Sequence, residues 1–159
     1  MCKISVLTPI YNVEKYLPQC LDSLLSQTLQ DIEFICINDG STDHSLAILR
    51  TYALRDSRIR IINQENGGYG KAMNAGLKVA TGKYIGIVES DDFVDPDMFQ
   101  VLYDVAEREQ AEIVKTNYYI YKNGKSTFFE VLAGNKYNQV FCPAKSPKIM
   151  YEPMIWNGL

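Results

Sequence analysis

The chain of 159 residues is poor in the groups that build most metal and redox centres: it has one histidine, four cysteines and one tryptophan. His44 alone gives little from which to make a His-based metal site or a Ser-His-Asp triad, and it reads as a surface residue just inside a helix start. None of Cys2, Cys20, Cys36 and Cys142 stands at CxxC spacing, so neither a zinc site nor a thioredoxin-type couple is indicated. Cys20 and Cys36 lie among apolar residues and read as buried free thiols of a reducing cytosol. No apolar run approaches the roughly 20 residues of a membrane span. The opening MCKISVLTP is too short and too weakly basic for a signal peptide. A net charge of −3 supports neither a nucleic-acid-coating surface nor a polybasic membrane anchor. No internal repeat or low-complexity tract interrupts the sequence.

What is present is ordinary for a soluble globular chain: 47% apolar and 22% charged residues. At this length a single domain buries about two-thirds of the surface its unfolded chain exposes. Short apolar runs at residues 4–7, 33–37, 58–62, 84–88 and 112–116 read as strands, the first closed by Thr8-Pro9. Helical spacing falls between them. Leu17, Cys20, Leu21, Leu24 and Leu25 share one helix face. Ser41, Thr42 and Asp43 offer N-caps to a second helix with Leu46, Leu49, Tyr52 and Ala53 inward. A third helix follows Gly67-Gly68-Tyr69-Gly70, with Ala72, Ala75, Leu77 and Ala80 inward, and ends near Gly82. Asp95-Pro96 opens a fourth, whose inward face is Met98, Val101, Leu102 and Val105.

This alternation predicts an α/β fold with a mostly parallel sheet covered by helices on both faces. Right-handed crossovers put every strand's C-terminal end on one edge, where such sheets bind ligands. Residues 8–12, 38–43, 63–70 and 89–92 are the loops of that edge. After Thr116 the pattern changes: Tyr118, Tyr119 and Tyr121, then residues 126–132, flank Asn123-Gly124 as a hairpin. From Asn135 no period is clear, and Pro143, Pro147 and Pro153 interrupt it. The ending IWNGL reads as a chain cut within a domain. Residues 1–117 are thus expected to form an α/β core and 118–159 the start of a further region of the same domain. Trp156 reads as a core or interface residue, and its apolar surroundings could drive pairing of two copies.

Four loops carry the chemistry. Asp91-Asp92 sets two carboxylates side by side after a buried strand, with Glu89 two residues earlier. A divalent cation shared with a second anion relieves their repulsion, and Mg²⁺ or Mn²⁺ suits such oxygen ligands. A solvated acidic turn is the plainer reading. Asp39, in NDGSTD, can accept hydrogen bonds from a nucleobase edge or serve as an Asx-turn. Thr8-Pro9-Ile10-Tyr11-Asn12 can stack a base on Tyr11 or turn that ring into the core. Residues 65–74 are glycine-rich and enter a helix. Exposed N–H groups and Lys71 there suit a diphosphate. This is no Walker A loop, because Glu65 and Ala72 occupy its Gly and Ser/Thr positions, and the first strand–helix turn lacks the glycines of a Rossmann fingerprint. Taken singly, each loop has a structural reading. Together on one edge they describe a site for a nucleoside diphosphate and a metal.

The strings ISVLTPIYN, FICINDGSTD, ENGGYGKAMNAG and ATGKYIGIVESDDFVDP, in that order, strongly resemble family 2 glycosyltransferases. These are inverting enzymes of the GT-A fold, the nucleotide-diphospho-sugar transferase fold. The likeness is close over residues 3–121 and weaker to 159. It implies that Thr8, Pro9, Tyr11 and the adjoining Asn12 surround the nucleobase, and that Asp39 hydrogen-bonds it, usually as uracil. It implies further that Asp91 lies toward the ribose, that Asp92 holds Mn²⁺ or Mg²⁺, and that Gly68, Lys71 and Asn74 border the phosphates. The expected partners are a UDP-sugar donor and a glycan or lipid-linked acceptor, in polysaccharide or surface-glycan assembly at the cytoplasmic face of a membrane. Two positions depart from the family pattern: Glu89 stands where many members have Asp, and Met73 where many have Arg. No carboxylate after Asp92 has the context of the family's catalytic base. Glu130 and Glu152 lack it, and the base is expected beyond Leu159. Three other classes compete: a sugar nucleotidyltransferase, which wants a glycine- and arginine-rich first loop; a non-catalytic nucleotide-sugar-binding module; and a phosphoacceptor signalling domain, which wants its acidic pair after the first strand.

Overall fold

A strand covered on both faces needs apolar residues at nearly every position, and two runs of the chain meet that demand. The computed structural model describes residues 1–129. In it β1 (Ile4–Ile10) is buried at every position and β2 (Ile32–Asp39) at all but Glu33. They pair in parallel from Ile4 opposite Ile32 to Ile10 opposite Asn38. β3 (Ile59–Gln64) joins the outer side of β2, and β4 (Tyr84–Ile87) the other side of β1. The sheet order is β3-β2-β1-β4, all parallel.

Helices α1 (Leu17–Leu25), α2 (Ser45–Ala53), α3 (Tyr69–Leu77) and α4 (Met98–Glu109) follow β1 to β4 in turn. One face of the sheet buries Val6, Ile10, Phe34 and Cys36 with Leu17, Cys20, Leu21 and Leu24 of α1 and Leu49 of α2. The other buries Leu7, Ile35 and Ile37 with Ala72 and Met73 of α3. Met73 is therefore a core residue, which accounts for an apolar side chain at that position. Gly76 brings α3 close: a Cβ there would sit 3.0 Å from Ile37 Cδ1. The chain divides into two compact units, Met1–Tyr103 and Asp104–Leu159, with the boundary inside α4. In the second unit β5 (Tyr118–Lys122) and β6 (Lys125–Phe129) form an antiparallel hairpin. Asn123 and Gly124 both take positive φ at its turn, as a two-residue hairpin loop requires. Tyr118 stacks on Phe129 at 5.0 Å between ring centroids. Trp156, Cys142, Glu130, Glu152, the late prolines and the hairpin arm beyond Phe129 lie outside the described residues.

Four sequence expectations need correction. β1 does not stop at Thr8-Pro9 but continues to Ile10. The Leu7 carbonyl faces β4, accepting from the Val88 amide, so the missing N–H of Pro9 points to the side where β4 has already ended. α3 buries Ala72, Met73 and Gly76, ends at Leu77, and leaves that leucine half-exposed. α4 is rotated by one residue from the expected face: Phe99 is buried and Val101 half-exposed. Gly86 accounts for the rotation, because a Cβ there would meet Phe99 Cε1 at 2.7 Å. Finally, residues 112–116 form no strand, and Ile113 is 79% exposed. A strand exists only beside a neighbouring backbone, which a five-residue pattern cannot supply.

Gly82 closes the turn into β4 against the start of β1. A Cβ there would collide with the Ser5 amide nitrogen and lie 2.6 Å from the Ile4 carbonyl carbon. Backbone atoms cannot step aside as a side chain can. Gly82→Ala is expected to destabilise the fold by about 1–3 kcal/mol. Thermal unfolding followed by circular dichroism should show Tm lowered by roughly 3–10 °C; an unchanged Tm would mean the turn does not approach β1 this closely.

Candidate functional site

The C-terminal edge of the sheet is organised by hydrogen bonds between its loops. The β1–α1 and β2–α2 loops are clipped together. The Asn12 amide donates to Ser41 Oγ (3.1 Å), and Asn12 Oδ1 accepts from the Thr42 amide (2.8 Å). Asn12 takes positive φ to do so, which asparagine tolerates. The Glu14 amide donates to Asp43 Oδ2 (3.0 Å), and Glu14 Oε2 accepts from the His44 amide (2.9 Å) and lies 2.8 Å from its ring Nδ1. His44 is largely exposed. The serine, threonine and second aspartate of NDGSTD thus serve to lock these loops, with Asp43 Oδ1 also accepting from the Ser45 amide.

Asp39 ends β2 and is buried. Its Oδ1 accepts from Gln64 Nε2 (2.7 Å) and the Gly67 amide (3.0 Å), and its Oδ2 from the Gly68 amide (2.8 Å). Burial alone would raise its pKa. The Gln64, Gly67 and Gly68 bonds and the Lys71 charge overcome that and hold the carboxyl below its ordinary range. Two of the glycine amides that the sequence offers to a diphosphate are therefore committed to Asp39. Gly68, at φ 83°, is the N-cap of α3, so the amides of Tyr69 and Gly70 are the ones at the open helix start. The aliphatic stem of Lys71 lies over Gly67, in the space a Cβ there would take.

Between these loops lies a cleft of about 380 Å³ walled by Pro9, Tyr11, Asp39, Gly68, Tyr69 and Glu89, with Ser90 beside it. It brings together four of the nucleotide-site residues expected from the sequence, Pro9, Tyr11, Asp39 and Gly68, and with them Glu89. Tyr11 is half-exposed. Thr8 is not in its wall; its side chain is fully buried within β1, and Oγ1 has no partner among the described residues. Asn12, Lys71, Asn74, Asp91 and Asp92 also stand outside the wall. Tyr69 is a wall residue that sequence reasoning did not single out. Its hydroxyl donates to Glu89 Oε1 at 2.7 Å.

Asp91 and Asp92 follow β4 on the same edge and are exposed. Partial burial and the Asp91 charge push the Asp92 carboxyl up. Beneath them the Cys20 thiol is pushed up to about 12, by burial first and then by the charges of Asp92, Asp91 and Glu89. Among the described residues no group of three His, Cys, Asp or Glu side chains is arranged to hold a metal ion. Two adjacent carboxylates with no ion pair among the described residues nevertheless have the oxygen chemistry that suits Mg²⁺ or Mn²⁺ when substrate phosphates supply further ligands. Among the described residues no helix is long and apolar enough to cross a membrane.

Residues 5–152 match the model of Glycosyl transferase family 2. The chain is 48% identical over 125 residues to the uncharacterized glycosyltransferase EpsJ of Bacillus subtilis, covering 79% of this chain and 36% of that protein. It is 44% identical over 140 residues to the glycosyltransferase GlyG of Streptococcus pneumoniae, covering 87% and 45%. Among solved structures, S. aureus TarS 1-349 in complex with UDP-GlcNAc superposes with a TM-score of 0.64 at 32% identity, over 68% of this chain and 32% of that one. The chain thus spans less than half the length of these relatives.

Proposed function

The chain belongs to glycosyl transferase family 2, and from that membership we propose that it forms the donor-binding part of a metal-dependent, inverting glycosyltransferase that uses a UDP-sugar. The observation that carries this reading is the cleft in which Pro9, Tyr11, Asp39 and Gly68 converge. The half-exposed Tyr11 ring offers a stacking face for a base. A carboxylate has about four acceptor sites, and three of those on Asp39 are used. The fourth, on Oδ2, is left for a base N–H. The Tyr69 and Gly70 amides and Lys71 at the start of α3 suit the phosphates. Asp91 and Asp92 are the residues to hold Mg²⁺ or Mn²⁺, a cation that offsets charge on a departing diphosphate when bound. Single displacement also needs a base for the acceptor hydroxyl, which this reading places outside the described residues. The acceptor is proposed as a glycan or lipid-linked saccharide, and the setting as surface-glycan assembly at the cytoplasmic face of a membrane.

Calorimetry with UDP tests the reading. Mn²⁺ is expected to tighten UDP binding, and Asp92→Ala to weaken binding in Mn²⁺ by roughly tenfold or more while leaving it unaltered in EDTA. If Asp92→Ala binds UDP and Mn²⁺ as the parent chain does, the metal assignment is lost.

A further inference from the structure

Glu89 is held from three directions. Its carbonyl accepts from the Cys20 thiol (3.6 Å, from α1) and from the Asp92 amide (3.0 Å, across its own turn). Its carboxylate accepts from the Tyr69 hydroxyl at the first residue of α3. By contrast, no side-chain hydrogen bond or ion pair holds Asp91 or Asp92 among the described residues. β1 lies between β4 and β2 in the sheet, so the phenol reaches across the end of β1, where Pro9 and Ile10 wall the cleft. It joins the glycine-rich helix start to the acidic turn. Burial and Glu89 push the Tyr69 hydroxyl up to about 12, so it stays a donor at neutral pH.

We infer that Tyr69 and Glu89 are a pair of positioning residues: the phenol pins the Glu89 carboxylate, and the pinned residue sets the Asp91-Asp92 turn for the cation that accompanies the nucleotide. This rests on the proposed function and deepens it. Glu89 acts as a strut and not as a ligand. Its extra methylene relative to aspartate is what reaches the Tyr69 hydroxyl. With the strut removed, the two carboxylates must be ordered when the cation arrives, so the coupling between cation and nucleotide falls.

Length and charge can be separated at position 89. Glu89→Gln keeps the reach and an acceptor oxygen but loses the charge. Glu89→Asp keeps the charge but loses the reach. The readout is the ratio of UDP dissociation constants in EDTA and in Mn²⁺, measured by calorimetry for the parent chain and for Tyr69→Phe, Glu89→Gln and Glu89→Asp. The ratio is expected to drop roughly tenfold in Tyr69→Phe and Glu89→Asp and to stay within about twofold of the parent in Glu89→Gln. Hydrogen exchange without metal gives a second reading: the Asp92 amide should exchange faster in Tyr69→Phe and Glu89→Asp, and as in the parent in Glu89→Gln. A ligand role for Glu89 predicts the reverse order, with Asp tolerated and Gln not, and that result overturns the inference. A parental ratio in Tyr69→Phe overturns it as well while leaving the proposed function standing. No Mn²⁺ effect on the parent chain removes both.

Discussion

Asp39→Ala is expected to cost the chain its glycine turn and its grip on UDP together. The carboxylate accepts from Gln64 Nε2 and from two backbone amides, those of Gly67 and Gly68. Alanine leaves these donors without their acceptor at the end of β2, where Gly67 and Gly68 are themselves exposed to water. Each lost bond to a charged acceptor costs about 1.5–3 kcal/mol, but the three share one group and water reaches the exposed glycine amides; about 2–3 kcal/mol is the expected loss in urea unfolding. Asp39→Asn is the gentler variant. It retains an acceptor on one oxygen but turns an amide N–H toward a glycine N–H, and should recover about half of the loss. The pH dependence has a definite sign. The native carboxyl lies below its ordinary range, so its contribution is present above the unfolded value of 3.8 and disappears as pH falls through the native one. In Asp39→Asn that part of the acid limb should flatten. For the ligand, the variant should weaken UDP by roughly a hundredfold or more, since the free acceptor site and the placement of the helix start are lost at once. It should also narrow the preference for UDP over GDP. Unaltered UDP binding by Asp39→Asn would take the residue out of the base pocket.

How much of this was legible beforehand follows from what each signal depends on. β1, β2 and α1 were readable because burial on both faces, or along one stripe, needs little knowledge of the partner: residues 4–7 and 33–37 and the spacing from Leu17 to Leu24 carry it locally. The face of α4 lies one residue from the stripe its sequence shows, because it is set by the gap over Gly86 that Phe99 fills, a fact about β4 and not about α4. The apparent strand at residues 112–116 failed for the same kind of reason, since its pattern is local and its pairing is not. In the site, Asp39, Gly68 and Tyr11 stood out as residue types in turns. The use of the glycine amides by Asp39 did not, because it is a contact 28 or 29 residues apart in sequence. Tyr69 sits inside a glycine-rich string, and the phenol's reach to Glu89, 20 residues on, has no local mark.

Glu33 shows the same limit in the strand EFICI, where it reads as the polar start of an apolar run. In the fold it is the centre of a network at the opposite edge of the sheet. Its Oε1 accepts from Ser5 Oγ (2.6 Å), the Thr81 amide (2.8 Å) and Thr81 Oγ1 (2.7 Å), and its Oε2 from Arg60 Nη1 (2.9 Å). Ser5 Oγ in turn accepts from the Gly82 amide (2.8 Å), so one carboxylate ties β1, β2 and β3 to the turn into β4. Burial raises its pKa, but the Ser5, Thr81 and Arg60 bonds outweigh that and bring it down to about 2. A carboxyl that ionises more readily when folded stabilises the fold above its unfolded value of 4.5, and that stabilisation is lost as pH falls from there toward about 2. Arg60 is half-exposed and water screens its share, so the pH-dependent part is about 2 kcal/mol. Urea titrations at a series of pH values should show this limb in the parent and a flatter one in Glu33→Gln, which keeps an acceptor for Ser5 and Thr81 but cannot titrate. Glu33→Ala should lose about 3–5 kcal/mol at pH 7, because the Thr81 and Ser5 groups are left without their acceptor. Along β2 the distance from Glu33 to Asp39 is about 20 Å, so Glu33→Gln should bind UDP as the parent does. A weakened UDP affinity in that variant would mean that the two edges of the sheet are mechanically coupled, and that the cleft depends on the strand register this network holds.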